Sequence, residues 1–156
     1  MSDLNLIKEL REKTGAGFLD CKNALNESNN DIELSIDSLR KKGLAKATKK
    51  SSREAKEGAV GFFNNENMCV ILKVNSETDF SAKSNTFLDF IDDLGNAAIK
   101  ANDYNLDLEK FMNYKRNDKS ISDLITEMIA KIGENIILND LKIIENKKLN
   151  INHYIH

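Results

Sequence analysis

The chain has 156 residues, enough for one ordinary domain or two small ones, and its 40% hydrophobic and 31% charged residues are typical of a globular protein with a core. No apolar run approaches the roughly 18 residues of a membrane span, and Asp3, Lys8 and Glu9 interrupt the first apolar cluster, so neither a membrane segment nor a signal peptide is predicted. The net charge of -2 does not point to nucleic acid as a partner, although it leaves room for a local basic patch. Residues 1–56 carry a net charge of +3 and the remainder a net charge of −5, which predicts two modules.

Three short helices are predicted in the first 43 residues. Apolar spacing indicates helices over residues 4–13 and about 17–27, separated by a turn that contains two glycines. The third helix is predicted to begin after Asn30 as its N-cap, with Glu33 three residues later as in a capping box, and to end at Gly43 as its C′ residue. A bundle this small is marginal alone, so we expect it to lean on a neighbour or a partner.

A mixed segment is predicted to follow a polar, basic, helical linker at residues 44–57. Its expected strands are 59–63, 68–75, 136–144 and 149–155, and its expected helices are 81–100, 108–114 and 121–132. The helix over 81–100 carries a core stripe at Phe87, Phe90, Ile91, Leu94 and Ala98. The strand at 68–75 is nearly all apolar and is therefore predicted to be central. The fold class is α+β, with a small antiparallel sheet packed against helices.

Residues suited to bond-making chemistry are few. The histidines, His153 and His156, both lie at the C-terminus, and no Gly-rich phosphate loop follows a strand. Cys21 and Cys69 lie far apart, without metal-ligand spacing, in apolar stretches typical of reduced cytosolic thiols. We therefore expect a protein that is not an enzyme and that binds neither a cofactor nor a metal.

A basic stretch between residues 40 and 56 could contact RNA. It consists of Arg40, Lys41, Lys42, Lys46, Lys49, Lys50, Arg53 and Lys56. No aromatic residues are interleaved to stack on bases, and Glu54 dilutes the charge. A solvated linker is the favoured interpretation, and no direct nucleic-acid binding is expected.

At two places, the spacing of the residues does not decide whether an apolar side chain is buried or exposed to a partner. In the loop 76–80, either Asp79 caps the following helix and Phe80 packs beneath it, or this strand-to-helix corner presents an aromatic ring and a carboxylate to another protein. Phe18 and Leu19 are adjacent on a predicted helix and point about 100° apart. If one of them faces the core, the other is left for a partner, and an entirely buried arrangement is the alternative.

Three groups of motifs resemble signatures of the elongation factor Ts family. The first comprises LREKTGAG at residues 10–17, DCKNAL at 20–25, DIE at 31–33 and LRKKG at 39–43; the second is NSETDFSA at 75–82; and the third is AKIGENI at 130–136. They occur in the family's order and at suitable separations, and they cover nearly the whole chain. The resemblance is therefore specific.

The resemblance implies a fold and an activity. It implies a three-helix, ubiquitin-associated-like (UBA-like) domain at 1–43, the linker at 44–57 and an α+β core subdomain at 58–156. The implied function is that of a cytoplasmic translation factor that binds elongation factor Tu, in its GDP-bound and nucleotide-free forms, and promotes GDP release without membrane attachment. The alternative is a UBA-like module that binds proteins or ribosomes without exchange activity.

The resemblance also implies which residues contact elongation factor Tu. These are Arg11, Phe18 and Leu19 in the helical domain, Thr78, Asp79 and Phe80 in the corner, and His156 at the end of Tyr154-Ile155-His156. The ring at position 80 would wedge into the GTPase domain near its nucleotide and magnesium site. The sequence departs from the family pattern in two ways. Ser81 stands where valine is usual. The chain also ends at His156, so the second core subdomain is not accounted for, and a fragment or a reduced form is predicted.

Overall fold

The computed structural model describes residues 4–147 and 151–154, in which helices and antiparallel strands form two compact units. The helices are α1 (Leu4–Thr14), α2 (Phe18–Glu27), α3 (Ile32–Lys50), α4 (Asp79–Ala82), α5 (Asn85–Ala101), α6 (Leu108–Asn113) and α7 (Ile121–Ile132), and the strands are β1 (Glu57–Asn64), β2 (Met68–Ser76), β3 (Lys115–Arg116), β4 (Lys119–Ser120) and β5 (Ile137–Glu145). One unit comprises Met1–Ser52 and Thr126–Gly133, and the other comprises Arg53–Ile125 and Glu134–His156. The mixture of helices and antiparallel sheet confirms the α+β fold class, while the domain boundaries at 43/44 and 57/58 stay a prediction.

None of the described helices is long and apolar enough to cross a membrane.

The first unit is built around a small apolar core between α1, α2 and α3. Its buried members are Ile7, Leu10, Cys21, Ala24 and Leu25, against which Leu6, Ala16, Ile32, Ile36 and Leu39 pack. These positions recur every three or four residues, so each helix buries one stripe and leaves the rest of its surface in solvent. The predicted three-helix arrangement is therefore present.

The start of α3 differs from the prediction by one residue. Asp31, not Asn30, is the N-cap, and its Oδ1 accepts the Leu34 backbone N–H at 2.9 Å. Asn30 has φ +65° and Asn29 has φ +51°, in the left-handed region that asparagine tolerates better than most residues. The two asparagines make the chain reversal, and this leaves Asp31 with the extended backbone that an N-cap requires.

The end of α3 was also predicted wrongly, because the helix continues through Gly43 to Lys50. Gly43 is buried within the helix, and a Cβ added there would lie 3.3 Å from the Cβ of Ala130 in the same unit. The glycine therefore permits a close approach between α3 and the second half of α7. A close tertiary contact of this kind has no local sequence signal.

The second unit is a three-stranded antiparallel sheet in the order β1-β2-β5, which confirms that β2 is central. Helix α5 packs on this sheet, and its predicted core stripe is confirmed, since Phe87, Phe90, Ile91, Leu94 and Ala98 are all buried. A Cβ on Gly95 or Gly61 would overlap the ring of Phe63. The two glycines thus form the slot that holds this ring between α5 and β1.

The structure of this unit differs from three local predictions. The helix expected over 81–100 is two helices, because Ser84 starts α5 with its Oγ accepting the Phe87 N–H at 3.2 Å. A tight hairpin, β3-β4, lies in the region expected to be irregular. It turns at Asn117 and Asp118, whose positive φ angles suit a two-residue loop. Of the strand expected at 149–155, residues 151–154 are not in a strand, and the others lie outside the described residues.

Candidate functional site

The corner between β2 and α4 begins at Thr78, which is the N-cap of α4. Its backbone is extended (φ −124°, ψ 154°) and its Oγ1 accepts the Ser81 N–H at 3.2 Å. The alternative in which Asp79 is the cap is wrong, because Asp79 is the first residue of the helix. Because threonine is the cap, the exposed Asp79 carboxylate does not cap the helix and instead accepts a hydrogen bond from the Lys83 ammonium group.

Phe80, on the first turn of α4, is 86% exposed. The hypothesis that its ring packs beneath the helix is therefore wrong. Other phenylalanines of this unit, such as Phe87 and Phe111, are fully buried, so the unit does sequester aromatic rings elsewhere. Single exposed apolar side chains are common on protein surfaces, and exposure by itself leaves the ring available for a partner without identifying one.

Asp79 supplies negative charge next to this ring. Its carboxylate lies 2.9 Å from the Lys83 ammonium group, and both side chains are exposed. The hydrogen bond and charge of Lys83 lower the pKa of Asp79 below its ordinary value. Asp79 is therefore ionised at neutral pH, although solvent screening keeps the pair weak.

The corner is tied to residues that are distant in sequence. The Thr78 backbone N–H donates to Glu134 Oε2 at 3.0 Å, and the Thr78 hydroxyl donates to Glu134 Oε1 at 2.7 Å. In the opposite direction, the Asn135 backbone N–H donates to Glu77 Oε1 at 2.6 Å. Each glutamate thus accepts a backbone N–H from the residue that follows the other glutamate.

Hydrogen bonding keeps Glu134 ionised. Partial burial raises its pKa, but the hydroxyls of Ser81 and Thr78 and the backbone N–H groups of Thr78 and Glu77 outweigh burial, so the pKa is lowered overall. Ser81 is itself buried. Ser81, at the position where the resemblance implies a valine, therefore contributes a hydroxyl to this carboxylate.

Further contacts fix both sides of the corner. The Ser76 hydroxyl donates to the Thr78 carbonyl at 3.1 Å, and the Asn135 side chain, which is 2% exposed, donates to the Arg53 carbonyl at 2.7 Å. The Arg53 guanidinium lies 3.6 Å from Glu77. Sequence reasoning missed Glu77, Glu134 and Asn135 as parts of the site. The available signal was the position of Glu134 and Asn135 directly after Gly133, within the third motif.

A second set of candidate residues lies in the helical unit. Phe18 is 47% exposed and Leu19 is 66% exposed, so neither side chain belongs to the core, and Arg11 is exposed as well. They flank a tight turn in which Gly15, at φ +67°, donates its N–H to the Arg11 carbonyl at 2.8 Å. The turn leaves these three side chains on the surface at the junction of α1 and α2.

The structure groups the predicted site residues only in part. Thr78, Asp79 and Phe80 share one corner of the second unit, whereas the other candidates of the described chain belong to the first unit. His156 lies outside the described residues. The other histidine, His153, stacks on Phe62 with ring centroids 3.9 Å apart.

The basic stretch is largely paired within the protein. Five of its eight cations lie beside a carboxylate, in the pairs Arg40–Asp37, Lys42–Glu27, Lys46–Asp20, Arg53–Glu77 and Lys56–Glu54. Pairing reduces the charge available to phosphates, and the expectation of no direct nucleic-acid binding stays a prediction.

The two cysteines are free and buried. Burial raises the pKa of both thiols, so they are weak nucleophiles at neutral pH. Within residues 4–147 and 151–154, no cluster of three or more His, Cys, Asp or Glu side chains is placed to hold a metal ion.

Known proteins of one family match this chain. The sequence model of the family described as Elongation factor TS matches residues 77–156, just over half of the chain, and this range includes the corner and Glu134. Curated proteins named elongation factor Ts are similar to the chain. That of Allorhizobium ampelinum is 47% identical over 133 residues, covering 85% of this chain and 43% of the relative. Those of Sinorhizobium fredii and Magnetococcus marinus are 42% and 41% identical over 97% of this chain, covering 49% and 50% of their own lengths.

The chain thus spans about half the length of the curated relatives it matches, or slightly less. Within that span the relatives align with both the helical unit and the sheet-containing unit. The matched range, the extent of identity and the three motifs agree, and the chain belongs to the elongation factor Ts family.

Proposed function

We propose that this chain is a cytoplasmic guanine-nucleotide exchange factor that binds elongation factor Tu and promotes GDP release. It acts by binding and not by making or breaking covalent bonds. Family membership supports this proposal, and the single observation that carries it is the 86% exposed ring of Phe80 on a corner braced by Glu134.

The proposed action needs a difference in affinity between two states of the GTPase. A factor that binds the nucleotide-free state more tightly than the GDP-bound state weakens GDP binding by the same factor. Burying a phenylalanine side chain in the partner contributes about 1.5–3 kcal/mol. If the ring is buried only in the nucleotide-free complex, this energy shifts GDP affinity by about ten- to a hundredfold.

Two other groups support the same action. Asp79, held ionised beside Lys83, would bring negative charge towards the phosphates of the nucleotide and weaken their binding. Arg11, Phe18 and Leu19, all exposed, would contact the GTPase domain and add affinity. His156 is proposed to enter the GTPase with the corner.

The test is release of fluorescent GDP from purified elongation factor Tu, followed by stopped flow with and without this chain. We expect the chain to accelerate release in proportion to its concentration until binding saturates. Unchanged release at concentrations that saturate binding would refute exchange and select the alternative, a UBA-like binding module. Salt-sensitive RNA binding that is lost when lysines 41, 49 and 50 are neutralised would contradict the expectation of no nucleic-acid partner.

A further inference from the structure

A reciprocal pair of glutamates joins the Phe80 corner to the start of the segment after α7. Glu134 accepts the Thr78 N–H and Glu77 accepts the Asn135 N–H, across separations of 56 and 58 residues. Bonds to carboxylates are about twice as strong as bonds between neutral groups. We call the four residues Glu77, Thr78, Glu134 and Asn135 the glutamate clasp.

We propose that Glu134 is a positioning residue for nucleotide exchange, which holds the first turn of α4 in the orientation that presents Phe80. This inference rests on the proposed function. Glu134 need not touch elongation factor Tu, since its contacts are with Thr78 and Ser81 within the same unit.

The length of α4 explains why an external brace is needed. The helix has four residues, Asp79–Ala82, and a single turn fixes several backbone dihedrals for very few hydrogen bonds, so it is unstable alone. Its N-cap oxygen is Thr78 Oγ1, and the same hydroxyl donates to Glu134. Holding Thr78 therefore holds the turn, and the turn sets the direction of the Phe80 side chain.

An alternative role for Glu134 is to attract the partner by its charge. Two conservative variants separate the effect of side-chain length from the effect of side-chain charge. Glu134→Gln keeps the length of the side chain and an oxygen for the Thr78 N–H, but it removes the charge. Glu134→Asp keeps the charge, but it is one methylene shorter and cannot reach both Thr78 atoms. Positioning predicts that the glutamine variant is the more active, and charge attraction predicts the reverse.

The experiment measures GDP release from elongation factor Tu at saturating concentrations of the wild-type chain, both variants and Glu134→Ala. We expect Glu134→Asp and Glu134→Ala to lower the acceleration about tenfold, the factor equivalent to about 1.4 kcal/mol, and Glu134→Gln to retain most of it. Glu109→Ala, on an exposed side chain of α6, is the matched control and should behave as wild type. If Glu134→Ala does not fold, the comparison of Glu134→Gln with Glu134→Asp still distinguishes positioning from charge attraction.

A second readout follows the corner without the partner. Backbone ¹⁵N order parameters at residues 78–80 should stay near the rigid value of about 0.85 in the wild type and in Glu134→Gln, and fall in Glu134→Asp. Unchanged order parameters in the aspartate variant, or an aspartate variant more active than the glutamine variant, would overturn the inference. If the wild-type chain does not accelerate GDP release, the proposed function fails, and the order parameters alone then decide whether Glu134 holds the corner.

Discussion

Truncation of Phe80 separates the stability of the free protein from the energy of the proposed interface. The residue is 86% exposed, so only about a seventh of its surface is covered in the free chain. Full burial of a phenylalanine contributes about 1.5–3 kcal/mol, and Phe80→Ala should therefore cost about 0.2–0.4 kcal/mol of folding free energy. For a protein of this size, that loss lowers the melting temperature by less than about 2 °C.

The same truncation should have a much larger effect on exchange. If the ring is buried in elongation factor Tu, its loss removes most of the 1.5–3 kcal/mol, which is about a ten- to hundredfold reduction in the acceleration of GDP release. The assay is stopped-flow release of fluorescent GDP, with thermal unfolding of the same preparations. Phe87→Ala is the contrast, because this fully buried ring should cost about 3–5 kcal/mol and lower the melting temperature by about 6–20 °C.

Two results would refute this reasoning in different ways. Exchange by Phe80→Ala at the wild-type rate would show that the ring is not the source of the differential affinity. A fall in melting temperature as large as that of Phe87→Ala would show that Phe80 is a core residue of the protein in solution. The combination expected is a nearly unchanged melting temperature with strongly reduced exchange.

Three other predictions use the remaining parts of the molecule. Leu19→Ala, at a side chain 66% exposed, should weaken binding to elongation factor Tu in titration calorimetry with little change in melting temperature. Gly95→Ala should destabilise the chain by about 1–3 kcal/mol in urea unfolding, because its Cβ would overlap the Phe63 ring. Gly17→Ala should cost under about 1 kcal/mol, because its Cβ would make only an ordinary contact with Asp20 Oδ2 at 3.9 Å. Hydrogen bonds lower the pKa of Glu134 in the folded protein despite partial burial. The contribution of Glu134 to stability should therefore be fully present at pH values above the ordinary pKa of 4.5, and it should be lost as the pH falls through the lowered pKa. The stability difference between wild type and Glu134→Gln should accordingly shrink on acidification from neutral pH, and a difference independent of pH would contradict this.

The elements with strong periodic patterns were predictable from sequence. The apolar run of β2 identified the central strand, and the stripe on α5 identified the helix that covers it, because burial selects apolar residues at fixed spacings. Element ends were less predictable. Gly43 carries the usual mark of a helix end, yet it lies inside α3, where its missing side chain admits Ala130. A glycine that permits a close contact and one that ends a helix look the same in a single sequence.

The sequence pointed to the exposed residues of the candidate site but not to the residues that hold them in place. The pattern at Asp79 and Phe80 drew attention to the corner, but spacing could not decide between a buried and an exposed ring. The corner that carries the exposed ring is held by the Thr78 cap and by Glu134, which lies 56 residues further along the chain. Contacts over such separations are fixed by the folded topology and leave no periodic signal.

The arrangement also explains how an exposed aromatic ring can be used efficiently. Ordering the backbone of one residue costs about 1–2 kcal/mol, so three disordered residues at 78–80 would lose about 3–6 kcal/mol on binding. This loss is about twice what the burial of one phenylalanine provides. In this chain the clasp and the cap order these residues when the protein folds. The energy of burying Phe80 is then available to favour one state of the partner over the other. For this reason we expect loss of the Glu134 brace to lower exchange even though the ring itself is unchanged.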